Sequence, residues 1–352
     1  MAFTGQLNVN RVITSLFNMI ISIDTNSKNI SSSFAKLMEE NRVDGSRYGD
    51  TKLKLSVDCL GTIEFTGDDQ SNILENHRAP NPHTQALVMN VFRQIPLTTG
   101  GDFFDKQAFL SEGSYVEFIS AVTDMITKTK EVYEGTTFNT FIGTHKSTKQ
   151  KTIEIDASKY PTLAQGLATT LADLFDDIQE PDRSFNEIGF LRAWDESDLE
   201  IIINKSYRNL FRYNEVPDIF HDEEIKAMLK RGGLHDHYFG NIITSGGTAN
   251  GTQRTMVEGD FTGTDKKTVH LFPGFVIPTG ATYKANEAYT VDENILCIIT
   301  RKGFCPFMSA ATREAQWLNP RNGNLQHYLN FGHNTLQIID DAPWLVIKKK
   351  AA

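Results

Sequence analysis

One long stretch of helical periodicity constrains this chain more than any other feature. Between Ser114 and Ile142, apolar residues recur at intervals of three, four and seven, as they do on one face of an α-helix. A helix of about 28 residues would be roughly 40 Å long, well above the usual length in globular proteins. The pattern predicts either a helix that lies over a sheet in an ordinary domain or one that spans a larger subunit. Its expected core residues are Phe118, Ile119, Val122 and Ile126.

Composition narrows the classes of function. The chain has 352 residues and a net charge of −9, so it can form two or three structural regions and is a poor general binder of phosphate. Lys348, Lys349 and Lys350 are expected to be solvated. No signal peptide and no apolar run of about 18 residues is visible, so we expect no membrane partner.

Three cysteines, Cys59, Cys297 and Cys305, are present. An odd number without CxxC spacing argues against a disulfide framework and against a zinc site. A reducing cytoplasm is the simplest setting for such a chain.

The first hundred residues read as an arm and a hairpin. Residues 1–50 pass from an apolar to a polar, turn-rich stretch and are expected to form an extended arm. Within 51–110, two alternating runs flank a polar tip, which predicts a long β-hairpin. An isolated hairpin is marginally stable in water, so its apolar row would need cover. That row consists of Leu53, Leu55, Val57, Ile63, Phe65, Leu87, Met89 and Val91.

The rest of the chain mixes helices and strands without regular alternation. A strand is predicted at 151–156, a helix after Pro161, and buried strands at 199–203 and 295–299. Residues 244–265 are rich in Gly and Thr and are expected to form a flexible loop around Gly246, Gly247 and Gly251. Since helices and strands are not interleaved, the predicted fold class is α+β.

Few residues suggest chemistry. His235, Asp236 and His237 lie together in the sequence, with His221 nearby. Spacing of i, i+2 puts two histidines on one side of a strand, but no motif supplies a third ligand. The segment SGGTANGT lacks the lysine of a P-loop. We therefore expect neither a cofactor nor a catalytic site, and a metal-dependent hydrolase that uses His221, His235 and Asp236 is kept as an alternative.

Three segments carry a resemblance to a known family. They are the long helical stretch followed by KTIEID (151–156), FLRAWDESDLEIIINKSYRNLF (190–211) and REAQWLNPRNGNLQHYLNFGHNTLQIIDDAPWLVI (313–347). Together with the order of elements, they resemble the major capsid proteins of tailed bacteriophages, which have the Hong Kong 97-type fold, and among these the capsid proteins of small short-tailed phages.

The resemblance implies an architecture. It assigns 1–50 to an N-terminal arm, 51–110 to an extended loop (E-loop) hairpin, and 111–185 to a peripheral (P) domain that contains the long helix as its spine. Residues 186–301 become an axial (A) domain and 302–352 the returning strands of the P-domain. The hairpin row would contact the adjacent subunit, and the three glycines would lie near a capsomer axis. A chain that lacks roughly residues 61–91 is expected to fold without assembling.

The resemblance also implies a function and partners. The chain is expected to self-assemble through hexamers and pentamers into an icosahedral shell, the head of a virion, in the cytoplasm of a bacterial host. Expected partners are a separate scaffolding protein, a portal protein, decoration proteins, and packaged double-stranded DNA through weak non-specific contact. An encapsulin-type nanocompartment shell is the alternative with a similar fold.

Overall fold

The structure is a computed structural model. It describes residues 35–45, 49–62, 64, 78, 80–99, 112–213, 233–243, 246–256, 258–284, 287–321 and 324–350. Within these ranges, the side chains of 99, 112–123, 211–213, 311–314, 316 and 325 are not described. Most of the predicted arm lies outside the described residues, as do His221, Ile63 and Phe65.

The predicted spine helix is confirmed and is longer than its apolar pattern. The α-helices are α1 (Lys36–Glu40), α2 (Glu112–Thr144), α3 (Leu163–Gln179) and α4 (Arg208–Tyr213). The spine helix α2 has 33 residues. Of its four predicted core residues, Ile126 is buried, and Phe118, Ile119 and Val122 lie outside the described side chains. From Tyr133 to Thr140 every residue is buried, so this part of α2 is enclosed on all sides.

A five-stranded sheet lies against this helix. Its strand order is β1–β15–β16–β3–β2. The strand bounds are β1 Arg42–Asp44, β2 Thr51–Ser56, β3 His83–Thr99, β15 Phe307–Leu318 and β16 Leu325–Asn334. Ile126 of α2 packs on Leu329, Ile95 and Leu97 of the sheet. The long strand β3 pairs with β16 over most of its length, so it belongs to this sheet as well as to the hairpin.

A second sheet forms the main core. Its order is β4–β17–β14–β5, with bounds β4 Lys151–Ile155, β5 Leu199–Ile203, β14 Ile295–Arg301 and β17 Leu345–Lys349. Strands β4 and β17 are parallel, and the other pairs are antiparallel. Helix α3 covers one face; it begins after Thr162, whose side chain accepts a hydrogen bond from the Gln165 amide. The strands of this sheet come from three of the regions predicted above, so the sheet joins segments that are distant in the chain.

Two small sheets form between β5 and β14 in the sequence. Their orders are β10–β9–β12–β7 and β11–β8–β13–β6. The bounds are β6 Gly240–Ile243, β7 Gly247–Thr248, β8 Gln253–Thr255, β9 Gly259–Thr262, β10 Thr268–Leu271, β11 Val276–Ile277, β12 Thr282–Tyr283 and β13 Ala288–Val291. We call residues 240–291 the inserted β-unit.

The inserted β-unit corrects the predicted Gly/Thr loop. Between 244 and 265 the structure has three strands, and Thr255 and Phe261 are fully buried there. Glycine-rich sequence forms strands here because partners from the region 268–291 supply the hydrogen bonds. Local composition does not reveal such partners.

A chain of polar contacts joins the inserted β-unit to the spine helix and its sheet. Arg93 on β3 donates from Nε to the Tyr133 hydroxyl at 2.9 Å and forms an ion pair with Glu258. The Tyr133 hydroxyl lies 3.4 Å from Nε2 of His333 on β16. Burial lowers the pKa of His333, which favours the neutral ring in this position.

The hairpin is confirmed, but its apolar residues do not form one row. Strand β2 pairs antiparallel with β3, with Leu53 opposite Ala86 and Lys52 opposite Leu87. Directly opposed residues share a face of the sheet, so Leu53 and Leu87 lie on opposite faces. Leu87 and Met89 are fully buried against Met308 of the same chain. The prediction that these two residues contact a neighbouring subunit is therefore wrong.

The same register corrects the predicted deletion. Residues 83–91 are part of β3 and carry Leu87 and Met89 into the subunit's own core. Removal of residues 61–91 would remove a buried part of the five-stranded sheet, so we no longer expect such a chain to fold. Val91 is half-buried.

Candidate assembly surface

The outer face of the hairpin is an exposed apolar stripe. Leu53, Leu55 and Val57 are 66%, 65% and 47% exposed, and Leu60 beyond them is 69% exposed. We call these four residues the outer stripe. Soluble proteins usually keep such surfaces small or cover them with a partner.

Strand β2 has the reverse of the usual orientation for a strand at the surface. Its apolar Leu53 and Leu55 point outward, while Lys52 and Ser56 share the face of the buried Leu87. On the inner face, Ser56 is held within the chain, because its Oγ donates to Asp341 Oδ2 at 3.3 Å. The outer face is left without cover among the described residues.

Strand β3 is attached to the segment 338–341 at the loop end of the hairpin. The buried Gln85 donates from Nε2 to the Ile338 carbonyl at 2.7 Å and accepts from the Asp340 amide at 3.1 Å. Nε2 of His83 lies 2.7 Å from Asp340 Oδ2. Both strands of the hairpin are therefore attached to the 338–341 segment by hydrogen bonds.

Beyond β2, Asp58 attaches the chain to a second loop. Its carboxylate accepts hydrogen bonds from the Leu191 amide at 2.9 Å and from Arg183 Nη1 at 2.6 Å. These two contacts, the Leu191 amide first, hold the pKa of Asp58 below its usual range. The carboxylate therefore stays ionised at any pH near neutrality.

Other exposed apolar residues escaped the sequence-based prediction. At the end of the β15–β16 hairpin, Trp317 and Leu318 are 67% and 61% exposed. On the inserted β-unit, four further residues are more than two-fifths exposed, namely Val269, Phe272, Phe275 and Val276. The sequence held one signal for Trp317 and Leu318. Adjacent residues of a strand point to opposite faces of the sheet, so one of two adjacent apolar residues at a strand end often lies uncovered.

The three glycines predicted to lie near a capsomer axis are all exposed. Gly247 is in strand β7, next to Gly246. Gly251 has φ +73° with nothing within 4 Å of the position of a Cβ atom, so its backbone angle and not crowding favours glycine there.

The histidine cluster has close ligand atoms but already faces a cation. Potential ligand atoms of His235, Asp236 and His237 lie within 4.8 Å of one another. However, Lys205 Nζ is 2.9 Å from His235 Nε2, and a second cation beside this ammonium would be repelled. Burial, with a smaller contribution from Arg254, lowers the pKa of His237 to about 4. The arrangement suits two neutral histidines, of which His235 accepts a hydrogen bond from Lys205, better than it suits a metal ion.

Comparison with protein families decides the identity of the chain. A profile of the Phi29-like phage major capsid proteins matches residues 2–343. The chain belongs to this family. No curated protein sequence gives a match.

Solved phage structures share the fold of this capsid protein. A chain of the capsid structure of Staphylococcus phage Andhra superposes with a TM-score of 0.62 at 11% identity, covering 88% of this chain and 83% of that one. A chain from the structure of the head fiber and inner core protein gp22 of native bacteriophage P68 gives 0.60 at 10% identity, covering 91% and 86%.

The family settles the broad function. The chain is a major capsid protein of a tailed phage, it assembles with itself into a shell, and its role is structural and not enzymatic. Neither the encapsulin-type shell nor the metal-dependent hydrolase is supported. Among the described helices, none combines the length and the apolar character needed to cross a membrane.

Proposed function

We propose that this capsid protein builds an icosahedral shell of hexamers and pentamers around double-stranded DNA, and that the outer stripe of each hairpin packs on an adjacent subunit. The observation that carries the proposal is the exposure of Leu53 and Leu55 on a strand whose other face lies beside the buried Leu87 of the same chain. An apolar surface of this kind gains stability when a neighbour removes it from water. Contacts between two different surfaces of identical subunits close into rings, as hexamers and pentamers require.

The adjacent subunit would offer its spine helix and five-stranded sheet to the stripe. Helix α2 has an exposed apolar side chain, Met125, and the sheet ends in the exposed Trp317 and Leu318. Val57 would extend the contact beyond the strand, and Ile63 and Phe65 would continue it at the tip. Gly246, Gly247 and Gly251 would lie near the capsomer axis, where conformational freedom lets one sequence meet five or six neighbours.

The remaining partners follow from the same role. A separate scaffolding protein would guide assembly in the bacterial cytoplasm, and a portal protein and decoration proteins would bind the shell. Packaged DNA would meet the inner surface weakly and without sequence preference, because the chain carries a net charge of −9. A sub-micromolar affinity for duplex DNA at physiological salt would contradict the last point.

The experiment compares the two faces of β2. The protein is produced with the neighbouring head genes as wild type, as Leu53→Ser/Leu55→Ser, and as Lys54→Ser, the control on the inner side of the same strand. We expect shell-sized particles from the wild type and the control, and soluble subunits with an unchanged circular dichroism spectrum from the double variant. Normal shells from the double variant would reject the stripe as an assembly contact.

A further inference from the structure

A carboxylate holds the chain just beyond the end of strand β2. Strand β2 ends at Ser56. Two residues later, Asp58 Oδ1 accepts from the amides of Leu191 and Cys59, each at 2.9 Å, and its Oδ2 accepts from Arg183 Nη1 at 2.6 Å. The side chain of Asp58 is only 12% exposed. Both oxygens are thus occupied, and from different directions.

A second arginine reinforces the attachment from the same loop. Arg192 Nη2 donates to the Val57 carbonyl at 2.9 Å. Arg183 is oriented in turn, since its Nη1 also donates to the Gly189 carbonyl at 3.0 Å. Two consecutive residues of the hairpin, 57 and 58, are therefore held by one loop through contacts with strict directional requirements.

The loop that makes these contacts is itself rigid and anchored. Asp182 and Arg192 exchange two backbone hydrogen bonds of 3.0 and 3.2 Å and so close the loop. The Asn186 side chain bridges it, donating to the Phe190 carbonyl at 2.7 Å and accepting from the Phe190 amide at 2.9 Å. At the end of the loop, the Trp194 amide donates to the Ile178 carbonyl of α3. A displacement of residue 58 would therefore have to break contacts that lead to the main core.

We propose that Asp58 is a positioning residue for assembly: with Arg183 and the Leu191 amide, it holds Leu60 of the outer stripe in the position that the neighbour contacts. The inference rests on the proposed function, in which the hairpin contacts an adjacent subunit. Loss of the carboxylate frees the chain beyond Val57 while the hydrogen bonds of β2 to β3 and to the 338–341 segment remain. The subunit then stays folded, but Leu60 samples many positions.

Folding and positioning can be separated because Arg183, one partner of this ion pair, lies at the surface. Arg183 is 55% exposed at its side chain, and surface ion pairs contribute little to folding stability. The exposed Cys59 gives a reporter beside Asp58, since the other two cysteines, Cys297 and Cys305, are buried and burial raises the pKa of each thiol. A nitroxide label will therefore react at Cys59.

The test measures the mobility of this label in isolated subunits and then the particles that the same variants form. Asp58→Ala, Arg183→Ala and the double variant are compared with wild type and with Asp177→Ala, which removes an exposed carboxylate from α3. We expect a restricted label in wild type and Asp177→Ala, and a mobile one in the other three. The double variant should be no more mobile than either single variant, because both groups act through one contact. Thermal midpoints should fall by at most about 4 °C.

Electron microscopy of particles made with the neighbouring head genes completes the test. We expect closed, uniform shells from wild type and Asp177→Ala, and open or irregular assemblies from Asp58→Ala. A label that is equally restricted in Asp58→Ala overturns the proposal. So do uniform shells from a variant with a mobile label, since the position of Leu60 would then be irrelevant to assembly. If wild-type protein forms no shells, the proposed function fails, and label mobility alone decides whether Asp58 holds residues 59 and 60.

Discussion

The main core sheet and the hairpin use similar strands for opposite purposes. All five residues of β5 and the first six of β14 are buried, whereas none of the six residues of β2 is. Both regions carry aliphatic side chains. The difference shows that apolar content does not decide whether a strand stabilises the subunit or presents a surface; the availability of a covering layer does.

Cover on both faces explains the burial of the core sheet. Leu199 and Ile201 of β5 pack with α3 on one face. Ile202 faces the other way, into a cluster that contains Phe138 of the spine helix and Trp344. Strand β2 is at the edge of its sheet and has cover on the inner face alone. In the assembled shell, the proposed neighbour would supply the missing layer.

The largest expected effect is in the core sheet. Ile299 of β14 is fully buried, so Ile299→Ala should lower the free energy of unfolding by about 2–5 kcal/mol through lost burial and a residual cavity. Urea unfolding followed by circular dichroism measures this loss. A change below about 1 kcal/mol, the usual range for surface positions, would show that β14 is not a central strand.

A smaller loss is expected on the inner face of the hairpin. Leu87 is fully buried, but in a cluster with just two other buried residues, Met89 and Met308. Leu87→Ala should cost about 2–3 kcal/mol, the lower part of the range for buried leucines. If unfolding stability were unaffected while assembly failed, the original assignment of Leu87 to the intersubunit contact would be restored.

The polar attachment of Gln85, near the loop end of the hairpin, should contribute less again to the free energy of unfolding. Gln85→Ala leaves the Ile338 carbonyl and the Asp340 amide without their partner, with an expected cost of about 1–3 kcal/mol. Gln94 provides a matched control on the same strand, because its hydrogen bond to Asn330 is exposed. Equal unfolding stability of the Gln85→Ala and Gln94→Ala variants would mean that Gln85 does not hold β3 to the 338–341 segment.

The smallest effect on stability is expected on the outer stripe. Leu53→Ala should change the free energy of unfolding by no more than about 0.5 kcal/mol, because the side chain is 66% exposed in the subunit. Its effect should instead appear as a slower appearance of shells, measured by light scattering. A cost close to that of Leu87→Ala would abolish the contrast between the two faces.

The sequence alone predicted the helices and strands whose pattern lies within one contiguous segment. The spine helix, helix α3 after Pro161, and the strands at 151–155 and 199–203 form where their periodicity predicts them, because 3.6-residue and two-residue repeats are properties of contiguous segments. The family resemblance rested on the same segments, and the capsid fold and the family were predicted correctly from them.

Only the tertiary structure decided which side of the hairpin is buried. Leu53 and Leu87 are apolar residues of two alternating runs, and the register between β2 and β3 puts them on opposite faces. A shift of that register by one residue would put them on the same face. The strands of the Gly/Thr segment and the contact of Asp58 with Leu191, 133 residues away, are of the same kind. Each depends on a partner distant in the chain, and periodicity within a segment carries no information about that partner.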